Sequence, residues 1–444
     1  MNKKLYLIPV LAAALQFSAC SNFGGDGIFD QSAAERLEQS RKNLKETLCA
    51  EGGMWELQYF SNVEEPGYNF VCEFLADGSV TIHTDHKWIG GKYASEKSLW
   101  DVISDNGTVL TFNSYNTLFH IFSDPNNIEG PDAPKNPDTQ EDINELGYGH
   151  DGDYEFMLMS NDGQSIRLVG KKRGLTAWLH RLPTGTNPQD FLAGITAVRN
   201  SFSKKFTTLC LTEKENGARY DINKFGSGVV SVVPYLSTNP YAQTVTGNGI
   251  FTTEGFRFLK PLIVTRSDDT TWEISDFKWN EDGALEASNA YITAQAPGIN
   301  LANVSISWQI DKEAMSEAFK AAHDAASAAT QASAGSTFTL GNIVLGYNSN
   351  AGKVEFSITF TVGRRTCRDF GTIEFNEMGT EATIELTSAN KASADFDATA
   401  PDYTAFKQLF NDTFAISNIT PMNPDAIVFE SKTNPEISFN LKLK

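Results

Sequence analysis

Two side chains of one predicted strand, and a third from elsewhere in the chain, have the types that bind transition metals. His83 and Asp85 alternate along an extended segment and therefore share one face of it. Imidazole nitrogens and carboxylate oxygens are zinc ligands, and His120 is the third residue that could complete such a site. The alternative is a polar strand face that runs into a loop. We favour this alternative because zinc sites need three or four converging ligands.

An acidic segment, residues 124–155, departs most strongly from the average composition. It holds ten aspartates and glutamates, four prolines and one lysine. Asp151, Asp153 and Glu155 at its end are candidate calcium ligands, since hard cations prefer several oxygen ligands. The spacing differs from that of a helix–loop–helix calcium loop, and a solvated insertion between strands is the alternative that we favour. Apart from this calcium ion, we expect no cofactor.

The sequence lacks the motifs of common enzyme classes. Gly147-x-Gly149-x-x-Gly152 has the letters of a dinucleotide fingerprint, but a strand-like stretch follows where that motif requires a helix. The sequence has no nucleophile elbow, no His-Glu-x-x-His and no phosphate-binding loop. We therefore predict no catalytic residues. A carboxylate-dependent hydrolase remains the alternative, although acidic residues are too numerous for a pair to be chosen.

Tryptophans suggest where a sugar could bind. Sugar-binding sites use exposed aromatic faces, and three tryptophans outside the most regular alternating stretches are candidates. These are Trp88, Trp100 and Trp178. Three others lie in alternating stretches, which predicts core positions because aromatic side chains fill ordinary β cores. These are Trp55, Trp272 and Trp279.

The N-terminus carries the most specific signal. Two lysines precede an apolar stretch, residues 5–19, which has the length of a signal-peptide core and is too short to span a membrane. Small residues before Cys20 fit a bacterial lipobox, in which the thiol is acylated and becomes the first residue of the mature chain. We predict a lipoprotein signal peptide over residues 1–19, lipidation of Cys20 and a lipidated tether over residues 20–32. The alternative is an ordinary secretory signal with a chance cysteine.

Composition and charge exclude two classes of function. The 444 residues include 36 Lys and Arg against 55 Asp and Glu, a formal net charge of −19. Nucleic-acid binding requires a basic face that displaces counterions, so we expect no nucleic-acid partner. No apolar run reaches the length of about 18 residues that a spanning helix needs. Membrane attachment is therefore expected through the lipid anchor alone.

Hairpin patterns dominate the sequence. Four stretches alternate on both sides of a glycine-containing turn, which predicts antiparallel strand pairs. They lie around residues 68–84, 156–169, 277–283 and 373–386. Four helices are predicted from capping residues and apolar periodicity. They lie at residues 33–49, from Asn187-Pro188 onwards, at 312–333 and near 402–410.

The predicted fold is mainly β (α+β). It has antiparallel sheets or partly closed barrels in two or three modules, with a few short covering helices. Turn-forming residues divide the chain into an N-terminal β module with an opening helix, a second β module with an opening helix and a C-terminal α+β module. The predicted modules comprise residues 33–184, 185–290 and 291–444.

Several motifs occur in an order that is characteristic of one family. They include Gly53-Met54-Trp55, Phe74-Leu75-Ala76-Asp77-Gly78, Asp153-Tyr154-Glu155-Phe156 and Phe258-Leu259-Lys260-Pro261-Leu262. With these motifs, about residues 33–286 resemble a family of Bacteroidota lipoproteins defined only as a domain of unknown function. The resemblance implies an outer-membrane lipoprotein, often encoded beside nutrient-uptake systems that resemble those for starch. It implies no catalytic residues.

Together these observations favour a membrane-anchored, non-enzymatic accessory or binding lipoprotein of an outer-membrane nutrient-uptake system. Its expected partner is a glycan, a peptide or a component of the uptake complex. A structural or adhesive surface module is an alternative, beside the hydrolase. The expected location is the cell envelope, with a lipid anchor in the outer membrane. The sequence leaves open whether the protein faces the periplasm or the cell surface, and it does not indicate an oligomeric state.

Overall fold

Three β-barrels make up most of the structure. The computed structural model describes residues 31–125, 136–139, 150–202, 208–236, 244–266, 268–301, 306–348 and 353–444. Within these residues the strands form three closed eight-stranded barrels and a separate two-stranded sheet, and the strand pairs in the three barrels are antiparallel. The predicted mainly β fold with few helices is thus confirmed, and the barrels close completely.

The first barrel comprises the first eight strands. They are β1 (Met54–Tyr59), β2 (Tyr68–Phe74), β3 (Ser79–Thr84), β4 (Ala94–Ser104), β5 (Thr108–Phe112), β6 (Glu155–Asn161), β7 (Ser165–Gly170) and β8 (Thr176–Arg181). β1 pairs with β2 on one side and with β8 on the other, which closes the barrel. Alternation along β1 places Trp55, Leu57 and Tyr59 in the core and leaves Glu56 and Gln58 on the outer face.

Helix α1 (Ala33–Cys49) packs against the first barrel and begins and ends where the sequence predicts. Its N-terminus is a capping box, because Ser32 accepts the Glu35 backbone N–H while the Glu35 carboxylate accepts the Ser32 N–H. Leu44 and Leu48 are fully buried. The Trp55 indole N–H donates to the Leu48 carbonyl at 2.9 Å, which fixes the helix to β1.

The second barrel follows helix α2 (Pro188–Ser201), whose N-cap is Asn187 as predicted. The next ten strands are β9 (Leu209–Glu213), β10 (Arg219–Asn223), β11 (Val229–Pro234), β12 (Val245–Phe251), β13 (Gly255–Phe258), β14 (Leu262–Thr265), β15 (Thr271–Ile274), β16 (Phe277–Trp279), β17 (Leu285–Glu286) and β18 (Ala290–Ala294). β14 and β15 pair only with each other, and β18 pairs with β9 to close the barrel formed by the other eight strands.

The third barrel contains the last eight strands. They are β19 (Ile306–Ile310), β20 (Phe338–Asn348), β21 (Lys353–Val362), β22 (Arg365–Phe375), β23 (Glu381–Ala389), β24 (Thr413–Thr420), β25 (Asn423–Ser431) and β26 (Ser438–Leu443). Four helices accompany them. They are α3 (Pro297–Leu301), α4 (Glu317–Ala334), α5 (Lys391–Thr399) and α6 (Pro401–Gln408).

The helix predicted over residues 312–333 is divided in two. A 3-10 turn, Lys312–Ala314, comes first, and Ser316 then caps a new helix by accepting the Phe319 N–H. Helix α5, which Asn390 caps by accepting the Ser393 N–H, was not predicted from the sequence. All four predicted hairpins are present, as β2–β3, β6–β7, β16–β17 and β22–β23.

The second barrel docks on the outer face of the first, close to the start of β2. The Gly67 N–H donates to the Gly249 carbonyl at 2.9 Å. A Cβ added to Gly67 would lie 2.5 Å from the Ile250 Cβ, so only glycine permits this approach. The Asn69 side-chain amide donates to the Phe251 carbonyl at 3.0 Å. These contacts position the cleft described next.

Candidate functional site

A polar cleft lies between the first and second barrels. It has a volume of about 360 Å³, within the range of small-molecule sites. β1 and β8 form one wall and the segment from β13 to β16 forms the other. We call it the inter-barrel cleft and define it by six of its polar side chains. These are Glu56, Gln58, His180, Arg257, Asp276 and Lys278.

Arg257 on β13 connects the two walls of the cleft. Its Nε donates to the Asp276 carboxylate at 3.0 Å, within the second barrel. Its Nη1 donates to Gln58 Oε1 at 2.7 Å and reaches His180 Nε2 at 3.0 Å, both in the first barrel. One guanidinium therefore joins residues of β1, β8 and the segment before β16, as its planar fork of donors allows.

His180 accepts the hydrogen bond from Arg257 as a neutral imidazole. Burial lowers the pKa of His180, and the positive charge of Arg257 lowers it further. Because Nε2 accepts from Arg257, the ring proton lies on Nδ1, which is 2.8 Å from the Ser165 hydroxyl. The imidazole is thus held in one tautomer.

Glu56 is the buried carboxyl group of the cleft. Its position on β1 points it out of the first barrel, yet it is only 5% exposed because the second barrel covers this face. Its carboxylate accepts from the Gln58 amide and from the Asn69 amide, each at 3.1 Å. Burial raises the pKa of Glu56 to about 7, and these amides and Arg257 offset the rise only in part. The group can therefore donate or accept a hydrogen bond near neutral pH.

Trp178 on β8 supplies an aromatic face beside the cleft. Its indole is half-buried, and the Arg257 guanidinium lies 4.9 Å from the ring centroid. The His180 ring stacks nearly parallel to it, with centroids 6.0 Å apart. Of the three tryptophans considered for sugar binding, Trp178 thus lies beside polar groups of the cleft.

The other two tryptophans have structural positions. Trp100 is buried in the first barrel, where its indole N–H donates to the Ser79 carbonyl at 3.0 Å, so the expectation of an exposed face is wrong for this residue. Trp88 is half-buried and donates to the Tyr68 hydroxyl at 2.8 Å. Trp55 and Trp272 are buried as predicted, and Trp279 is partly buried against the core of the second barrel.

The structure does not bring His83, Asp85 and His120 together. His83 Nδ1 contacts the Tyr93 hydroxyl at 2.8 Å, and Asp85 accepts from the Thr196 hydroxyl of α2 at 2.7 Å. Both ring nitrogens of His120 bond to backbone groups of the first barrel. Across the residues that the structure describes, no three His, Cys, Asp or Glu side chains are arranged to hold a metal ion.

The candidate calcium ligands pair with basic side chains or with backbone N–H groups instead of converging on one point. Asp151 pairs with the Arg173 guanidinium, and Glu155 accepts from Lys171 at 3.0 Å. Asp153 accepts the backbone N–H groups of positions 172 and 173, each at 2.8 Å. The turn between β7 and β8 thus supplies donors to all three carboxylates. Most of the acidic segment, residues 126–135 and 140–149, lies outside the described residues, as do the first two glycines of Gly147-x-Gly149-x-x-Gly152.

A second polar cluster, which we call the closed network, lies within the first barrel. It comprises Ser61, Glu65, Tyr68, Trp88 and His150. Glu65 contacts His150 Nδ1 at 2.6 Å, and it accepts from the Tyr68 hydroxyl at 2.6 Å and the Ser61 hydroxyl at 3.0 Å. Burial acts to raise the pKa of Glu65, but the bonds to His150 and Tyr68 outweigh it and the pKa is lowered.

Sequence reasoning did not find the residues of the inter-barrel cleft. Glu56 and Gln58 alternate with core residues on β1, which is the pattern of any strand with one solvent-exposed face. Arg257 lies in a short strand directly before the family motif Phe258-Leu259-Lys260-Pro261-Leu262, to which no chemistry is attached. Among the residues near the cleft, the sequence indicated only Trp178 as a candidate for binding. It did not indicate the polar residues that lie beside Trp178.

The fold and the cleft define a protein of antiparallel barrels with a polar cavity where two of them meet. Residues 25–281, more than half of the chain, match the family described as a domain of unknown function (DUF4302). The chain belongs to this family. The match covers the first barrel and most of the second, and therefore includes all the residues that define the inter-barrel cleft.

Other comparisons add little. The crystal structure of the vaccine antigen transferrin-binding protein B from Haemophilus parasuis is similar at 9% sequence identity, over 88% of this chain and 75% of that chain, with a TM-score of 0.14. A similarity this low carries no argument about function. No curated protein matches the sequence.

Two remaining predictions concern the membrane. The signal peptide, Cys20 and most of the tether lie outside the described residues. Among the helices that the structure describes, none combines the length and the apolar character needed to cross a bilayer.

Proposed function

We propose that this protein is a lipid-anchored, non-enzymatic binding protein of an outer-membrane nutrient-uptake system, and that its ligand occupies the inter-barrel cleft. The observation that carries the proposal is the joining of two rigid barrel walls around a polar cavity through Arg257. Sites built on strands hold their side chains more accurately than sites on loops. The cavity of about 360 Å³ has the size of a monosaccharide, a disaccharide or a short peptide segment.

A glycan is the ligand class that these side chains suit best. Carboxyl, amide and guanidinium groups alternate as acceptors and donors around the cavity, which matches the paired hydroxyls of a sugar. The half-buried indole of Trp178, on which the Arg257 guanidinium lies, adds apolar surface beside the polar groups of the cleft. A peptide is the second class, because the same amides and Arg257 can bind backbone groups.

A thermal-shift screen tests this proposal. The purified mature chain is heated with neutral oligosaccharides, acidic oligosaccharides and short peptides in separate arms. A ligand that binds the folded state raises the unfolding midpoint in a saturable manner. A hit among the oligosaccharides supports a glycan ligand, and a hit among peptides alone replaces glycan by peptide. If no compound shifts the midpoint, the binding role is contradicted.

The anchor and the location rest on the N-terminal sequence. The apolar leader followed by Cys20 supports lipidation, and acyl chains contribute about 0.8 kcal/mol per buried methylene to membrane binding. Mass spectrometry of the native protein should find an acylated Cys20 as the first residue. Cell fractionation should place the protein in the outer membrane, and Cys20→Ser should release it. An unmodified Cys20 or an inner-membrane location would contradict the anchor.

A carboxylate-dependent hydrolase is the second candidate, and one observation favours it. A glutamate with a pKa of about 7 in a cleft has the property of a general acid at neutral pH. A screen of aryl glycosides and peptide substrates compares the wild-type protein with Glu56→Gln. Turnover that the variant loses would establish the enzyme. Absence of turnover in the wild-type protein removes this candidate and leaves the binding proposal intact.

A further inference from the structure

A buried lysine and a buried aspartate meet in the third barrel, outside both the cleft and the family match. Lys407 lies on α6 and Asp369 on β22, and Nζ of the lysine is 2.6 Å from the Asp369 carboxylate. A second carboxylate, Asp397 on α5, lies 2.7 Å from the same Nζ. The three residues thus place an amine between two carboxyl groups.

Aromatic side chains of the core of the third barrel lie near this pair, and Nζ of Lys407 is 5.3 Å from the centroid of the Tyr403 ring. Lys407 is 5% exposed and Asp369 is 2% exposed. Phe396, Tyr403 and Phe406 belong to the same core and are almost completely buried. Burial of two opposite charges in such a place is unfavourable before their mutual attraction is counted. Burial also raises the pKa of Asp369, which favours the protonated acid.

We propose that Lys407 and Asp369 form an intramolecular amide cross-link. The neutral Lys407 amine attacks Cγ of the protonated Asp369 carboxyl group. A C–N bond forms and the C–O bond to the carboxyl hydroxyl breaks. The proton lost by the nitrogen passes to Asp397, which then protonates the departing hydroxyl. One water molecule leaves, and no oxidant, reductant or cofactor is needed.

Neighbouring groups are arranged for each step. Asp397 contacts Nζ and is partly exposed, so it can exchange protons with solvent and give the water an exit. The Ser393 hydroxyl donates to both oxygens of Asp369, at 3.1 and 2.9 Å, and can polarise its carbonyl. Tyr403 donates to the Ser393 hydroxyl at 2.7 Å and orients it. Exclusion of bulk water opposes hydrolysis of the product.

The cross-link would have a structural consequence that suits the proposed location of the protein in the cell envelope. It ties α6 to a strand of the third barrel and closes a loop that contains β23 and α5. A covalent tie of this kind restricts the unfolded chain, as a disulfide does, without depending on the redox state of the compartment.

Intact-protein mass spectrometry under denaturing conditions tests the proposal. We expect the wild-type protein to be lighter, by the mass of one water molecule, than the mass calculated for its processed sequence with the lipid included. Tryptic digestion should leave the bond after Lys407 uncut and join the peptide that starts at Asp369 to the peptide that contains Lys407. Lys407→Arg should restore the full mass and allow cleavage after position 407.

A matched control uses an exposed ion pair of the same residue types. Lys391 lies 3.2 Å from Asp395 on α5, but its side chain is 90% exposed. Lys391→Arg should leave the mass deficit unchanged, and cleavage after Lys391 should be normal in the wild-type protein. Full mass in the wild-type protein, with normal cleavage after Lys407, would overturn the proposal and identify the pair as an ordinary buried ion pair.

Discussion

Two glutamates of the first barrel show how partners, and not burial alone, determine the charge of a buried carboxyl group. Glu56 in the inter-barrel cleft and Glu65 in the closed network are each 5% exposed. Glu56 has two neutral amides as its nearest donors, and its pKa is raised to about 7 by burial. Glu65 has an imidazole and two hydroxyls, and its pKa is lowered.

The difference separates a structural cluster from a candidate ligand site. In the closed network every oxygen of Glu65 has a protein donor, so the carboxylate is stabilised as an anion inside the barrel. In the cleft, Glu56 lies beside a cavity and can still change its protonation near neutral pH. A ligand can complete the second arrangement but has no place in the first.

The largest expected effect follows from removing the charge of Glu65. Glu65→Gln deprives His150 of its buried partner, so we expect the first barrel to lose about 3 to 5 kcal/mol of stability. Glu56→Gln is the matched control, and we expect no loss of stability at neutral pH, because the uncharged amide avoids the cost of ionising a buried carboxyl group. Chemical denaturation of both variants measures the difference. Equal losses would remove the distinction between the two sites.

The two glutamates should also give opposite pH dependences. The ordinary pKa of glutamate is 4.5, and that of folded Glu56 is about 7. Between these values the unfolded chain loses its proton first, so stability falls as the pH rises, by up to about 3 kcal/mol. The folded pKa of Glu65 is lowered, so its contribution is present above pH 4.5 and is lost as the pH falls through that folded value.

Stability measured from pH 3 to pH 8 checks these signs, where the pH limits are chosen to span roughly both transitions. Glu56→Gln should flatten the decline between pH 4.5 and about 7, and Glu65→Gln should flatten the loss on the acidic side. If Glu56→Gln changes the loss of stability on the acidic side, or Glu65→Gln changes the decline towards neutral pH, the pKa shifts have been assigned to the wrong glutamate.

A smaller effect tests how tightly the region around the closed network is packed. A Cβ on Gly152 would lie 2.1 Å from the Tyr59 hydroxyl and 2.8 Å from the Phe122 Cβ. We expect Gly152→Ala to cost about 2 kcal/mol through overpacking, measured as a lower unfolding midpoint. Gly194 on α2 has open space around it, and Gly194→Ala should instead stabilise the helix by up to about 1 kcal/mol. A neutral Gly152→Ala would show that this packing is loose.

Local patterns predicted much of the fold from the sequence. The start of α1 followed from Ser32 and Glu35, its end from Gly52-Gly53, and the hairpins from alternation around glycine turns. These signals are local, so they do not depend on how the barrels meet. Helix α5 was missed because its apolar spacing is weak and only its cap at Asn390 marks it.

The cleft could not be predicted for the opposite reason. From the sequence, a polar residue such as Glu56 is expected to be solvent-exposed, but the second barrel covers it in the structure. The contact between the barrels depends on the close approach of Gly67 to Ile250. The candidate ligands Asp151, Asp153 and Glu155 illustrate the same limit, since the basic side chains and backbone N–H groups that pair with them follow in the turn after β7. The residue types in the sequence indicated the possible chemistry of these side chains. Tertiary contacts determine which of the side chains lie together.

The most direct test of the cleft as the ligand site is isothermal titration of the ligand found in the screen into three proteins. They are the wild-type protein, Arg257→Ala and Arg219→Ala. Arg219 is the matched control, because it also lies over an aromatic ring of the second barrel, at 3.9 Å from the Tyr235 centroid, but not in the cleft. We predict affinity about tenfold weaker or worse for Arg257→Ala and unchanged affinity for Arg219→Ala. Equal affinity in all three proteins would contradict the account.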